Sequence, residues 1–211
     1  MIEIEQQLLK EDGDASAQLV EKLISIREVS FWYIRHGQTD WNLENRLMGS
    51  TDIPLNTNGE QQALLARNHF AGEKITTICH SPLSRAKKTA EILNQTLNCN
   101  LIEIEELKEC NLGPYEGKIF GKWFQDWKAG MELQGTESYA NFINRALVGI
   151  NKALSLPGPV LIVAHGGVYW AIEQTLQVCI EGGLDNCIPV LHEPPNNKYA
   201  KWQLYKKDMT K

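Results

Sequence analysis

The chain has no apolar run approaching the ~20 residues that a membrane-spanning helix needs. Its start, M-I-E-I-E-Q-Q, lacks the basic-then-apolar order of a secretory signal. Cysteine is scarce and unpatterned: Cys79, Cys99, Cys110, Cys179 and Cys187 are odd in number and never spaced C-x-x-C, so neither a disulfide framework nor a zinc site is suggested. There is no H-x-x-x-H pair and no carboxylate cluster either, so no metal and no other cofactor is expected. Positive charge is in deficit, 21 Lys and Arg against 26 Asp and Glu, which argues against a general nucleic-acid surface while allowing a local basic pocket. Repeats, low-complexity tracts and linkers are missing, and 211 residues suit one compact domain with a sizeable core. The expectation is a soluble, cytoplasmic protein that touches neither membrane nor nucleic acid; a homodimer is compatible with it.

What the chain does have is centred on residues 31–42, F-W-Y-I-R-H-G-Q-T-D-W-N. Four apolar residues run into Arg35-His36-Gly37, which reads as a buried strand carrying a guanidinium and an imidazole to its end. In open α/β sheets, reactive groups gather where strands end. Gly37 lets the backbone turn sharply and bring its amide close to a ligand. Thr39 and Asn42 offer short hydrogen-bonding side chains suited to phosphate oxygens. A histidine after a strand is more often structural, so the dipeptide alone carries little weight. The longer string Arg35-His36-Gly37-Gln38-Thr39-Asp40-Trp41-Asn42 is far more specific, and it resembles the signature of the histidine phosphatase superfamily, the phosphoglycerate mutase-like proteins.

Residues 1–29 precede this pattern. Leu19, Val20, Leu23, Ile24 and Arg27 share a helical face, with Asp14 or Ser16 as N-cap, and predict an added helix ahead of a domain spanning 30–211. Thr57 and Glu60 have capping-box spacing, which predicts a helix through about Phe70 with Ala63, Ala66 and Phe70 facing inward. A strand is expected over 75–79. Ser81-Pro82 should then cap a helix in which Leu83, Ala86, Ala90, Leu93 and Leu97 recur at helical intervals. A third strand is expected over 101–104 and helices over 118–129 and 137–156, the second with a long apolar stripe from Tyr139 to Leu154. The unbroken V-L-I-V-A at 160–164 reads as a central parallel strand, followed by a helix over about 168–179. The alternating Y-A-K-W-Q-L-Y near the end reads as a half-buried edge strand. Alternating strands and helices indicate an α/β class protein. The resemblance implies the same architecture: a three-layer α/β/α sandwich with a mainly parallel central sheet and an antiparallel edge strand.

Two further segments fit the family's motifs. Ser81-Pro82-Leu83-Ser84-Arg85-Ala86 with Thr89-Ala90 looks like its second motif, and places Arg85 in the first turn of a helix, where guanidinium and free amides can face one anion. Ala164-His165-Gly166-Gly167 resembles the motif that holds the second pocket histidine. The resemblance implies that His36 is the nucleophile, with Arg35, Arg85 and His165 around the phosphate. Gly37, Thr39, Asn42 and Gly166, together with Arg46 and Gly49 of the loop N-R-L-M-G, are the expected substrate contacts. Glu109, ahead of the C-N-L-G-P-Y-E-G loop, occupies the position of the family's acidic residue. A carboxyl group beside a phosphate dianion holds its proton more readily, which suits a general acid. Glu103, Glu105, Glu106 and Glu116 read as solvated charges. Tyr115, Trp123 and Trp127 could line the pocket mouth, although packing is the commoner use of such residues. His69, His80 and His192 match no motif.

The activity implied is a metal-independent phosphomonoesterase acting on a small phosphorylated metabolite through a phosphohistidine. Only about forty residues separate the acidic loop from the strand at 160, without the long inserted lid and basic pair of the resembling mutases. A mutase must shield its intermediate from water, so a thinner cover favours water as acceptor. The alternatives are a mutase-type phosphotransferase and a non-catalytic phospho-ligand binding module.

Overall fold

The structure, a computed structural model, describes residues 25–207. The expected face through Leu19, Val20, Leu23 and Ile24 lies outside them. Its last member, Arg27, is exposed, is not in a helix, and donates its amide to Asn151 Oδ1 at 3.0 Å.

Six strands form one sheet: β1 (Phe31–Arg35), β2 (Thr77–His80), β3 (Asn100–Glu103), β4 (Val160–Ala164), β5 (Val190–Glu193) and β6 (Gln203–Lys206), in the order β3-β2-β4-β1-β5-β6. The first four in that order run parallel, and β5 and β6 are antiparallel to their neighbours. The antiparallel edge is therefore two strands wide rather than one. The pairing of β5 was not legible because Pro189 and Pro194 bracket a four-residue segment too short to show a period.

The apolar strands are continuous because both faces are covered. Phe31 and Tyr33 of β1, with Ile162 of β4, join one core cluster; Trp32 and Ile34, with Leu161 and Val163, join the other. On the second face lie α2 (Thr57–Asn68) and α3 (Ser84–Leu97), contributing Ala63, Ala66, Ala90 and Leu93. On the first lie α4 (Lys122–Lys128), α5 (Tyr139–Leu154) and α6 (Gly166–Leu176), contributing Trp127, Phe142, Ile150 and Ile172 among others. A short α1 (Asp40–Leu43) follows β1. This is the α/β/α sandwich. No described helix is long and apolar enough to cross a membrane.

Helix ends depart from the sequence reading in ways that matter for the site. Asn56, not Thr57, caps α2, accepting the Gly59 amide at 2.9 Å. Ser81 does not cap α3, which begins at Ser84 with Leu83 as N-cap. Instead, the Ser81 hydroxyl is buried between the Leu83 amide and a histidine. The helix expected over 118–129 starts only at Lys122, because the chain at 118–119 pairs with Arg46 and Leu47.

Strand register sets the geometry at this end of the sheet. Arg35 pairs with Ala164, and Val163 pairs with His80, so the residues after three adjacent strand ends, His36, His165 and Ser81, lie side by side. The chain leaving β1 is pressed against the first turn of α2: a Cβ on Gly59 would collide with the Gln38 carbonyl oxygen, and one on Gly37 with the Gly59 carbonyl. Helix propensity alone favours alanine over glycine in α2 by about 1 kcal/mol, whereas overpacking typically costs about 1–3 kcal/mol. Gly59→Ala is expected to lower stability by about 1–3 kcal/mol in urea unfolding; a raised midpoint would mean that the two backbones are not in contact.

Candidate active site

The backbone of His36 is pinned on both sides. Its amide donates to the Ala164 carbonyl at 3.0 Å, and its carbonyl accepts from Asn186 Nδ2 at 2.7 Å. Its ring Nδ1 lies 2.7 Å from the Gly37 carbonyl oxygen. A carbonyl can only accept, so Nδ1 carries the proton and Nε2 keeps its lone pair. Burial, then the charges of Arg85 and Arg35, hold this imidazole well below the usual histidine range. It is a neutral base at ordinary pH, 2% exposed.

Around it stand groups with unspent donors. Arg85 is wholly buried; Nη1 donates to the Thr51 carbonyl and Nη2 to the Gly49 carbonyl, both at 2.9 Å. Burial lowers its pKa to about 10, with Glu109 opposing the shift. Arg35 donates from Nη1 to the Leu184 carbonyl at 3.1 Å, and burial lowers its pKa as well. The His165 ring sits 5.2 Å from that of His36, with Nε2 2.7 Å from the Ser81 hydroxyl. That hydroxyl accepts from the Leu83 amide at 3.3 Å, leaving its own hydrogen for Nε2. Nδ1 of His165 then holds the ring proton.

Among the described residues, four buried side-chain polar atoms lack a partner: Nε of Arg35, Nε of Arg85, Nδ1 of His165 and Nδ1 of His192. The first three surround His36. Neither guanidinium, Arg85 fully buried and Arg35 partly so, forms an ion pair with a described carboxylate. One fully buried and one partly buried cation, offset chiefly by the Glu109 carboxylate that pairs with neither, and an idle donor make a place suited to an anion.

A cavity of about 440 Å³ opens from this end, lined by Arg35, His36, Arg85 and Glu109 and also by Asn42, Arg46, Gly49 and Gly166. Glu109 accepts the Cys110 amide on Oε1 and the Gly167 amide on Oε2, each at 3.0 Å, which fixes its carboxylate. Three expected groups are not on the cavity wall. His165 is fully buried beside His36 and is absent from the lining. The Gly37 amide is committed to Thr89 Oγ1 at 3.1 Å. Thr39 is fully buried as the N-cap of α1, in reciprocal bonds with Asn42, and does not line the cavity. These last two are spent on holding the loop because the turn must satisfy its own backbone first. Arg46 reaches the wall with Nε on the Gly117 carbonyl at 2.7 Å and Nη1 paired to Glu44 at 3.0 Å. Among the described residues, no group of His, Cys, Asp and Glu is arranged to hold a metal ion.

The sequence reading also missed residues. Glu116 is half-buried, and its carboxylate accepts the amides of Ser50, Thr51 and Leu112 and the hydroxyls of Ser50 and Thr51. It clamps the loop whose carbonyls at 49 and 51 hold Arg85. Nothing in the sequence places 116 beside 50. Tyr115 and Trp123 pack ring against ring at 4.5 Å with a 30° tilt, and Trp127 is in the core with its indole N–H on the Glu137 carbonyl. None of the three lines the cavity; Phe120, Phe124, Tyr169 and Trp170 do.

His36, His165 and His192 all have lowered pKa values, the last to about 3 through burial. An unfolded chain binds protons on these rings below about pH 6.5 while the folded chain does not, so stability falls as pH drops through that value. Each ring that stays neutral in the folded chain adds to this slope up to about 1.4 kcal/mol per pH unit below about 6.5. Urea midpoints measured from about pH 7.5 to 5.5 should follow this slope; a flat profile would mean that the rings are not buried in the neutral form.

The chain matches the family model described as "Histidine phosphatase superfamily (branch 1)" over residues 31–182. It is 36% identical over 141 residues to "Uncharacterized phosphatase PhoE" of Bacillus subtilis, covering 66% of this chain and 72% of that one. It is 31% identical over 157 residues to "Probable phosphoglycerate mutase GpmB" of Salmonella choleraesuis, covering 69% and 73%. Among solved structures it resembles TTHB049 of Thermus thermophilus, with a TM-score of 0.68 and 26% identity over 85% of this chain and 99% of that one. Mycobacterial glucosyl-3-phosphoglycerate phosphatase shares the fold, with a TM-score of 0.68 and 24% identity over 85% and 97%. With the register of its strands and the model match in agreement, this chain belongs to the histidine phosphatase superfamily.

Proposed function

We propose that the chain is a phosphomonoesterase that hydrolyses small phosphorylated metabolites through a phosphohistidine on His36, with no metal required. The observation that carries this reading is the set of unpartnered buried donors on Arg35, Arg85 and His165 around a neutral imidazole. A phosphate monoester dianion would take its charge compensation from those donors, which are already in place before it arrives. The lone pair on His36 Nε2 attacks phosphorus, the bond to the ester oxygen breaks, and Glu109 gives its proton to the departing alkoxide. Water then attacks the phosphohistidine and passes a proton to the Glu109 carboxylate. The phosphorus–nitrogen bond breaks, and inorganic phosphate and the starting enzyme are recovered. Asn42, Arg46, Gly49 and Gly166 are the substrate-side contacts in this scheme. Relatives named phosphatase and named mutase both match, so the acceptor is what distinguishes the readings. Only α4 and α5 stand between the acidic loop and β4, and that thin cover supports water.

Release of phosphate from 4-nitrophenyl phosphate is expected in the presence of EDTA and should fall by at least about 1,000-fold in His36→Ala, the scale of losing a covalent nucleophile. An alkaline quench should trap label on His36, and ¹⁸O from water should enter the phosphate. Isomerised phosphoglycerate without phosphate release would favour the mutase; tight phosphate binding without turnover would favour the binding module.

A further inference from the structure

Beyond the phosphate end, the cavity is built for a particular kind of leaving group. Part of its wall is a run of aromatic rings. Phe120 meets Phe124 edge-on at 5.0 Å and 89°, and Phe124 meets Trp170 edge-on at 5.8 Å and 64°. Phe120 is 58% exposed although it lines the cavity, so much of its ring is open to water. Such an exposed aromatic gains by being covered, and edge and face positions suit another ring.

Charge points the same way. Among the described residues that line the cavity, the cations are Arg35 and Arg85 at the phosphate end and Arg46 on the wall. Arg46 is already paired with Glu44, bonded to the Gly117 carbonyl and stacked over Trp41 at 4.1 Å. Two carboxylates, Glu109 and Glu173, line the same space. A second acidic group on a substrate would therefore meet, away from the phosphate, one cation already shared with Glu44 and two like charges. Lys128 lies over the Trp170 ring at 4.1 Å but is not part of the lining.

We infer that this site takes phosphate monoesters of uncharged, ring-bearing alcohols and discriminates against esters that carry a second acidic group, such as phosphoglycerates. The inference rests on the phosphatase reading above and names its substrate class.

The test compares ethyl phosphate with 2-phenylethyl phosphate, whose alkoxides leave with similar ease, so that a difference reports on the ring. A single methylene in an apolar pocket is worth about 10–200-fold in kcat/KM. The phenyl ester is therefore expected to exceed the ethyl ester by at least about tenfold, with 3-phosphoglycerate no better than ethyl phosphate. Phe120→Ala should narrow the phenyl-to-ethyl ratio by about threefold or more, and Glu173→Gln should raise 3-phosphoglycerate relative to ethyl phosphate. A ratio near one, a ratio unmoved by Phe120→Ala, or a preference for 3-phosphoglycerate overturns the inference. The non-hydrolysable 2-phenylethylphosphonate and ethylphosphonate, titrated calorimetrically, separate the two readings. Absent turnover with at least about tenfold tighter phenyl binding defeats the phosphatase and upholds the ring preference. Equal binding of the two defeats the ring preference whatever the turnover.

Discussion

Two guanidinium groups, Arg85 fully buried and Arg35 partly buried, form no ion pair with a described carboxylate, and the surrounding structure is arranged to keep them so. Burying a cation is expensive unless something compensates it. Here backbone carbonyls at Gly49, Thr51 and Leu184 take part of the donor set, while Nε of each arginine stays free. The same two charges help keep His36 and His165 neutral. One electrostatic arrangement thus leaves cationic donors free and keeps an unprotonated ring nitrogen beside them.

Holding that arrangement requires a supporting structure, and it comes from several parts of the chain. The strand order brings the ends of β1, β4 and β2 together, which sets His36, His165 and Ser81 in a row. Glu116 reaches across from the loop after Glu109 and ties down residues 50 and 51, so that their carbonyl neighbours can hold Arg85. Tyr33, from the middle of β1, donates its hydroxyl to the His165 carbonyl at 2.7 Å. The catalytic reading therefore depends on residues that would never touch a substrate.

Much of this was legible in the sequence. The apolar runs of β1 and β4, the stripe of α5 and the four motif segments carry strong local signals, because a strand covered on both faces and a helix covered on one leave distinct patterns. Most of the illegible parts share a cause. Ser81 reads as a helix cap, Thr39 and Gly37 as phosphate donors, and Glu116 as a solvated charge, since each has several plausible partners nearby in sequence. The partner actually taken lies far away: Ser81 meets His165 and Gly37 meets Thr89, while Glu116 meets Ser50 and Thr51. Thr39 is the opposite case, satisfied so completely by Asn42 within its own turn that nothing is left for a ligand.

By itself the sequence determined the layer architecture and the family resemblance, and it nominated the groups at the centre, because these follow from periodicity and from motifs that are local in the chain. Only the tertiary structure decided which donors remain free for a ligand, which ring nitrogen carries the proton, and which aromatics face the cavity. Those are questions of partnership across the sheet, and hydrogen-bond and burial partners are chosen in space after the strands have registered.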